Sequence, residues 1–359
     1  MRVNIITQPL FINYGGILQN YALQEVIRRL GHEPLTINVP LDPLRKVEWK
    51  DYLISLRNLI DKIQGFYSHP FLNPHTIALK QRELSVPQKE FIKKYINKKD
   101  TKAPFTSKMM AECPADLWIV GSDQVWRPWC NKYIENGFFD FLDDKVDRIA
   151  YSASFGTDQW EIPADKTPYI KNLVKKFKAI SVREKSGVKL CKDYLNVEAL
   201  HLLDPTMLLS GGDYLALTSE DDYPKGKYIA TYILDNSRKK HQIIQAERKT
   251  KSLPIEKIGI MHKDGFDTIE SWLATIANAE YVITDSFHGT VFALIFKRYV
   301  KVLGNDLRGN SRLQSLFDLL NLTPDSDGYV HLNDEASERL NIMREKSLNF
   351  LKKSLTING

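Results

Sequence analysis

The sequence predicts an α/β fold in which two Rossmann-like, doubly wound domains face a cleft, with a helical insertion in the first domain. Three observations lead to this prediction. The chain has 359 residues, which is more than one core of ordinary size holds. Short apolar runs of strand length alternate with longer stretches of helical pattern. Polar side chains directly follow several of these runs, at the sheet edge where such folds bind ligands.

Composition excludes several classes of protein. The formal net charge of +6 is modest and the lysines are spread along the chain, so we expect no nucleic-acid partner. No apolar run approaches the ~20 residues that cross a bilayer, which favours a cytoplasmic protein. The three cysteines lack CxxC spacing and the histidines lack HxxxH spacing, so neither a disulfide framework nor a metal site is predicted. We expect no bound cofactor.

The chain opens with a predicted β-loop-α unit, made of a strand over 3–7, a loop over 8–16 and a helix over 17–30. The loop contains Asn13, Gly15 and Gly16. Glycines let a backbone approach a ligand closely, but their spacing does not match the GxGxxG dinucleotide pattern. A plain turn is the alternative interpretation of this loop.

The domain boundaries follow from where the pattern of strands and helices is interrupted. Residues from about 40 to 106 are polar, basic and helical in pattern, and we interpret them as an insertion. The predicted division is a first domain over 1–212, a linker over 213–226, a second domain over 227–333 and a C-terminal helix over 334–359.

Within the insertion, residues 52–63 carry an apolar stripe beside several basic side chains. Such a stripe either docks on its own domain, as most do, or makes a peripheral contact with an anionic membrane surface. Both interpretations stay open at this point.

The junction at residues 284–289 is the most informative motif. An apolar strand over 281–284 leads into an apolar helix, and His288 and Gly289 lie at the start of that helix. Free N–H groups at a helix start favour an anion, which His288 would face with a titratable proton. The alternative is that His288 only caps the helix. Asp123 and Asp285, which follow two strands, are candidate bases or sugar ligands, and equally are candidate helix caps.

Four motifs together resemble the polysaccharide pyruvyl transferase family. In chain order they are Asn13-Tyr14-Gly15-Gly16-Ile17-Leu18-Gln19-Asn20-Tyr21-Ala22-Leu23, Gly121-Ser122-Asp123-Gln124-Val125-Trp126, Ser181-Val182-Arg183-Glu184 and Asp285-Ser286-Phe287-His288-Gly289. The resemblance covers roughly residues 1–320. It implies a fold like that of GT-B glycosyltransferases, with the active site between two Rossmann-like domains. It also implies transfer of an enolpyruvyl unit from phosphoenolpyruvate to two sugar hydroxyls, with release of phosphate.

The resemblance assigns roles to individual residues. Arg183 matches the family's arginine on the first-domain side, and His288 matches its histidine on the second-domain side. A guanidinium and helix N-termini suit the phosphate and carboxylate of the donor, and an imidazole suits the proton transfers. Asp123 is a candidate catalytic residue. The expected donor-binding residues are Arg183, Ser286, Phe287, Gly289, Asn13, Gly15, Gly16 and Arg312.

The chain departs from the family at position 286. Many relatives have Arg-Leu-His where this chain has Ser286-Phe287-His288, so an arginine expected at the anion is missing. Arg308 or Arg312 would supply that charge, unless both are solvent-exposed loop residues.

Three hypotheses about function result. The first is a pyruvyl transferase acting on a capsular, exopolysaccharide or cell-wall glycan, as a free or lipid-linked oligosaccharide acceptor. The second is a GT-B glycosyltransferase that uses a nucleotide sugar, although residues 290–296 lack the acidic side chains that many such enzymes place on the ribose. The third is a glycan-binding assembly protein whose transferase site has decayed, a possibility that Ser286 raises.

Overall fold

The computed structural model describes residues 1–40, 74–235, 237–260, 262, 265–304 and 311–356. Within these residues, two parallel β-sheets of seven and four strands build two Rossmann-like domains. The predicted stripe at 52–63 and Arg308 lie outside the described residues.

The first sheet supplies the framework of the first domain. Its strands are β1 (Arg2–Ile6), β2 (Glu33–Asn38), β3 (Lys98–Asp100), β4 (Leu117–Val120), β5 (Asp147–Ala153), β6 (Ala179–Val182) and β7 (Leu200–His201). They are arranged in the order β3-β2-β1-β4-β5-β6-β7, and each pair is parallel. The strand order reverses between β1 and β4, which opens a crevice beyond their carboxyl ends.

The second sheet contains β8 (Ile229–Tyr232), β9 (Ile255–Lys257), β10 (Tyr281–Thr284) and β11 (Tyr299–Val302). Its order is β11-β10-β8-β9, again with parallel pairs, so β10 lies between β11 and β8. The order therefore also reverses in this sheet, and the crevice lies where β8 and β10 end.

The helices cover the faces of the two sheets. Those described are α1 (Tyr14–Arg29), α2 (Pro74–Leu84), α3 (Val86–Tyr95), α4 (Ser107–Ala111), α5 (Thr167–Val174), α6 (Lys185–Leu190), α7 (Gly211–Leu215), α8 (Arg238–Lys251), α9 (Ile269–Asn278), α10 (Phe287–Ile295), α11 (Ser311–Leu320) and α12 (Asp334–Ser354). All nine residues of α10 are buried, which explains why its sequence is apolar on every side.

Helix α1 begins earlier than the sequence predicts. The side chain of Asn13 accepts a hydrogen bond from the backbone N–H of Gly16 at 3.2 Å, which caps the helix and starts it at Tyr14. The predicted loop over 8–16 is therefore wrong for its last three residues. Gly15 and Gly16 lie in the first helical turn, at the edge of the crevice.

The predicted helical insertion is helical only in part of its described residues. Helices α2 and α3 follow the prediction, but Lys98–Asp100 pairs with β2 as an edge strand. Lysines are common on edge strands because they discourage pairing with other chains. The lysines of this strand make its sequence resemble the polar, basic helical pattern of the insertion.

The connection between the domains is packed rather than loose. The predicted linker over 213–226 begins inside α7, where Tyr214 is fully buried and donates a hydrogen bond from its hydroxyl to the carbonyl of Thr206 at 2.8 Å. The ring of Tyr214 also packs edge-to-face against Phe292 of the second domain, at 4.8 Å between centroids.

Helix α12 returns the chain to the first domain. The backbone N–H of Leu203 donates to the Ser347 hydroxyl at 3.2 Å, and Arg344 Nε donates to the carbonyl of Met207 at 2.9 Å. The largest apolar cluster extends through both domains, from Val3 to Val300. In the part of the chain that the structure describes, no helix combines the length and the apolar character needed to cross a membrane.

Candidate active site

Three charged side chains of the first domain meet beyond the carboxyl ends of its strands. Arg183 follows β6, Asp123 follows β4 and Asp204 follows β7. The guanidinium of Arg183 donates from Nη1 to Asp204 Oδ2 at 2.7 Å and from Nη2 to Asp123 Oδ1 at 3.3 Å. The side chain of Arg183 is 1% exposed, so these two carboxylates hold it away from solvent.

His288 reaches the same carboxylate from the second domain. It lies in the first turn of α10, and its Nε2 is 3.6 Å from Asp204 Oδ2. The side chain of His288 is 8% exposed, and Nε2 is buried without a hydrogen-bond partner among the described residues. Arg183 and His288, which come from facing domains, thus converge on one oxygen atom of Asp204.

Gly15 makes room for the imidazole. A Cβ atom at this position would lie 2.0 Å from His288 Nδ1, far closer than real contacts allow. The absence of a side chain at Gly15 thus admits His288, while Asn13 and Gly16 form the cap of α1. Donor binding by these three residues stays a prediction.

Most of the motif at residues 285–289 builds the turn that presents His288. The Ser286 hydroxyl accepts a hydrogen bond from the N–H of Gly289 at 3.3 Å and caps α10. A Cβ on Gly289 would lie 2.5 Å from Thr284 Oγ1, so the turn requires a glycine there. Asp285 accepts hydrogen bonds from the N–H groups of Leu234 and from Lys240 Nζ, both at 2.7 Å, which anchors the loop after β8.

Phe287 and Arg312 complete the cluster. The Arg183 guanidinium carbon is 4.6 Å from the centroid of the Phe287 ring, and the Arg312 guanidinium carbon is 5.6 Å from it. Arg312 is 8% exposed. The interpretation of Arg312 as a solvent-exposed loop residue is therefore wrong, because it lies in α11 with its charge turned into the cluster.

The backbone after β4 has an unusual conformation that places Asp123. Gly121 has φ 124°, and a Cβ there would lie 2.1 Å from the carbonyl oxygen of Tyr151. Asp123 itself has φ 71°, in the left-handed region that side chains other than glycine rarely adopt. Such backbone strain persists where the surrounding structure holds it, often at functional sites.

Electrostatics favour an ionised cluster. Burial alone would raise the pKa of Asp204, but His288 and Arg183 beside it hold that pKa well below its usual range. The pKa of Asp123 is also lowered, because Arg183, His288 and Arg312 outweigh the effect of its burial. Burial and the neighbouring charge of Arg183 lower the pKa of Arg312 to about 10, so both arginines are cations at neutral pH.

Sequence reasoning missed Asp204 and Glu184 as members of the cluster. Thr206 donates to Asp204 Oδ1 from its N–H at 3.0 Å and from its hydroxyl at 2.7 Å, and Ser122 Oγ donates to Oδ2 at 3.2 Å. Glu184 is fully buried, and burial raises its pKa. The available signal for Asp204 was its place directly after a strand, the criterion that did single out Asp123.

This arrangement suits a small anion and a proton transfer. Two neighbouring guanidinium groups and the two helix starts, of α1 and α10, favour phosphate or carboxylate oxygens. An imidazole beside an ionised carboxylate is a suitable general acid or base.

Comparison with known proteins agrees with this fold. The sequence model of the polysaccharide pyruvyl transferase family matches residues 13–306. A comparison with curated proteins gave no match. One similar solved structure is that of a protein assigned as a UDP-N-acetylglucosamine 2-epimerase from Listeria monocytogenes, with a TM-score of 0.52, 10% identity and coverage of 100% of this chain and 91% of that chain.

A second similar structure is S. aureus MnaA with UDP, with a TM-score of 0.50, 11% identity and coverage of 99% of this chain and 90% of that chain. At such low identity these likenesses concern the fold alone, and they confirm the predicted GT-B-like pair of Rossmann-like domains. Because the family match extends over most of the sequence, the chain belongs to the polysaccharide pyruvyl transferase family.

Proposed function

We propose that this transferase-family protein moves the enolpyruvyl group of phosphoenolpyruvate onto a sugar of a capsular, exopolysaccharide or cell-wall glycan. The product is a cyclic pyruvate ketal, and phosphate is released. The observation that carries the proposal is the convergence of Arg183 and His288, from facing domains, on Asp204 Oδ2. A guanidinium from one domain beside an imidazole from the other suits a donor that is both an anion and a proton acceptor.

In this proposal Arg183 and Arg312 bind the phosphate and carboxylate of the donor. The starts of α1 and α10 add backbone donors on either side. Asp204 and Asp123 orient Arg183, because both carboxylates accept hydrogen bonds from its guanidinium and stay ionised beside it. Ser286 contributes through the cap of α10 rather than through a charge.

The chemical steps need one group that moves protons. The methylene carbon of phosphoenolpyruvate gains a proton, and a sugar hydroxyl loses one as its oxygen attacks the neighbouring carbon. The bond from that carbon to the phosphate oxygen then breaks, and phosphate leaves with the electron pair. A second hydroxyl attacks the same carbon to close the ketal, and its proton passes to the departing phosphate. We assign the proton transfers to His288, with Asp123 as the carboxylate that receives or holds an acceptor hydroxyl.

The acceptor in this proposal is a glycan or a lipid-linked oligosaccharide at the cytoplasmic face of the membrane, where the protein would act as a cytoplasmic or peripheral enzyme. Phosphoenolpyruvate is a substrate here, and no cofactor is proposed.

The test is release of inorganic phosphate from phosphoenolpyruvate in the presence and absence of glycan acceptors. We expect release that depends on the acceptor and collapses in Arg183→Ala and His288→Ala protein that remains folded. Full turnover in both variants would contradict the site assignment.

Thermal unfolding distinguishes this proposal from a nucleotide-sugar glycosyltransferase, because a ligand that binds the native state raises the midpoint. We expect phosphoenolpyruvate to raise the midpoint and UDP-sugars to leave it unchanged. The reverse pattern would favour the glycosyltransferase. Glycan binding without any effect of phosphoenolpyruvate would favour a decayed site.

A further inference from the structure

The ring of Phe287 lies within cation–π distance of two guanidinium groups. Arg183 approaches it from the first domain at 4.6 Å, and Arg312 approaches it from α11 at 5.6 Å. All three side chains are buried, Phe287 with 6% exposure. One aromatic residue of the second domain therefore contacts both cations of the cluster.

Placing two guanidinium groups side by side in a buried site costs free energy. Burial, together with the like charge of Arg183, lowers the pKa of Arg312, which is the electrostatic sign of that cost. Asp123 offsets part of the cost, and the negative face of the aromatic ring offsets a further part for each cation. A leucine of similar apolar character would pack in the same place without this attraction.

We propose that Phe287 is a positioning residue that holds Arg183 and Arg312 together as a paired cation site for a dianionic phosphate ester. The identification of that ester as phosphoenolpyruvate rests on the proposed function. The pairing of the arginines rests on the contacts of Phe287 alone.

This pairing accounts for a serine at position 286. The second positive charge reaches the site from α11 rather than from the N-cap of α10, where Ser286 uses its hydroxyl to cap the helix. Phe287, which follows Ser286, holds the guanidinium of Arg312 from α11 at the site. Ser286, Phe287 and Arg312 therefore act together.

The test varies the electron density of the ring while it keeps the shape nearly constant. Phenylalanine with one, two or three fluorine atoms is incorporated at position 287, and Phe287→Leu and Phe287→Tyr are made beside it. Phe292→Leu is the matched control. Phe292 is a fully buried residue of the same helix, and its described ring contacts are with Tyr214, Trp272 and Phe296.

The first readout does not depend on the donor. In protein labelled with ¹⁵N-arginine, the Nε–H signals of buried Arg183 and Arg312 are assigned with Arg183→Lys and Arg312→Lys. We expect hydrogen exchange at Arg312 to become faster with each added fluorine and fastest in Phe287→Leu, while Phe287→Tyr and Phe292→Leu resemble the wild type. Unchanged exchange in Phe287→Leu and in the trifluoro protein would overturn the proposal.

The second readout is the KM for phosphoenolpyruvate against kcat. We expect KM to rise roughly tenfold in Phe287→Leu, the factor that a lost cation–π contact of about 1.4 kcal/mol gives, with a smaller change in kcat. The rise should shrink when Arg312→Gln is already present, because the two residues then no longer interact. Equal rises in both backgrounds would overturn the pairing.

The two proposals fail separately. If the wild type neither binds nor uses phosphoenolpyruvate, the proposed function fails. The paired cation site is then still tested by titrating inorganic phosphate into the ¹⁵N-arginine protein and following the signals of Arg183 and Arg312. If Phe287→Leu does not fold, the fluorinated series and the Phe287→Tyr protein carry the decision.

Discussion

The interface between the two domains has two halves of opposite chemistry. The aromatic half consists of Tyr14, Tyr232, Trp272 and Phe292, and the charged half consists of Asp123, Arg183, Asp204, His288 and Arg312. Tyr14 stacks on Trp272 at 5.4 Å, and its hydroxyl donates to the carbonyl of Asp267 at 2.7 Å. Gly15, the very next residue, contacts the imidazole of His288 instead. The start of α1 thus contributes residues to both halves.

The two halves contribute differently to stability and to chemistry. Aromatic pairs add about 0.5–1.5 kcal/mol each beyond the apolar area they bury. Buried ion pairs roughly break even, because desolvation of the charges offsets their attraction. We therefore propose that the aromatic half docks the domains and that the charged half carries out the reaction.

The largest effect is expected from His288→Gln. Because the imidazole is assigned the proton transfers, turnover should fall by about 10²–10⁴-fold, while the free energy of unfolding changes little. The measurement is phosphate release together with urea unfolding. His331→Gln, at an exposed histidine, is the control. If His288→Gln turns over within a few-fold of the wild-type rate, the charged half does not take part in the chemistry as proposed.

Trp272→Ala probes the aromatic half. The loss of a fully buried indole should lower the free energy of unfolding by about 3–5 kcal/mol, whereas kcat of the folded fraction should fall far less than in His288→Gln. Trp272→Phe is the matched control, since it keeps a ring and removes an indole N–H that is buried without a partner among the described residues. A variant that stays stable but loses turnover would reverse the assignment of the two halves.

Gly15→Ala tests the point where the halves join. The added methyl group would lie 2.0 Å from His288 Nδ1 and must displace the ring, and a displacement of about 1 Å at a reacting group can cost about 10²-fold in rate. Gly212→Ala, where the nearest side-chain atom is 3.7 Å away, is the control for an alanine in a first helical turn. Equal rates in the two variants would mean that the ring position does not matter.

Glu184→Gln should have the smallest effect, and it depends on pH. Burial raises the pKa of Glu184 above its ordinary 4.5, so its protonated form stabilises the fold fully below that value, and this stabilisation is lost as the pH rises through the raised pKa. Glutamine does not ionise, so the variant does not lose stability in this way. We expect the stability of the variant relative to the wild type to increase between acidic and neutral pH in urea unfolding. A difference that is constant with pH would contradict the raised pKa.

Local patterns were enough to predict the fold and the motifs of the cluster. The apolar runs of β4, β6 and β10 and the polar residues after them are adjacent in sequence, so Asp123, Arg183 and His288 could be recognised without coordinates. The start of α1 was misplaced because glycines disfavour helices, while the Asn13 cap that overrides them is a single hydrogen bond.

Contacts across the domain interface could not be predicted from such patterns. Asp204 lies between an apolar run and a proline in the sequence, and only the tertiary structure shows Arg183 and His288 converging on it. Arg312 follows a polar segment in the sequence, yet packing of α11 against the first domain buries it. The contact of Gly15 with His288 joins residues from opposite ends of the chain, and no local signal encodes it.

The central proposal is that one phosphoenolpyruvate molecule lies between the domains, bound by Arg183 of the first and in contact with His288 of the second. The most direct measurement is the crystal structure of the wild-type protein with phosphoenolpyruvate bound. We expect phosphate or carboxylate oxygens within hydrogen-bonding distance of Arg183, and His288 in contact with the same phosphoenolpyruvate molecule. Phosphoenolpyruvate bound to one domain alone, or in a place that neither residue contacts, would contradict it.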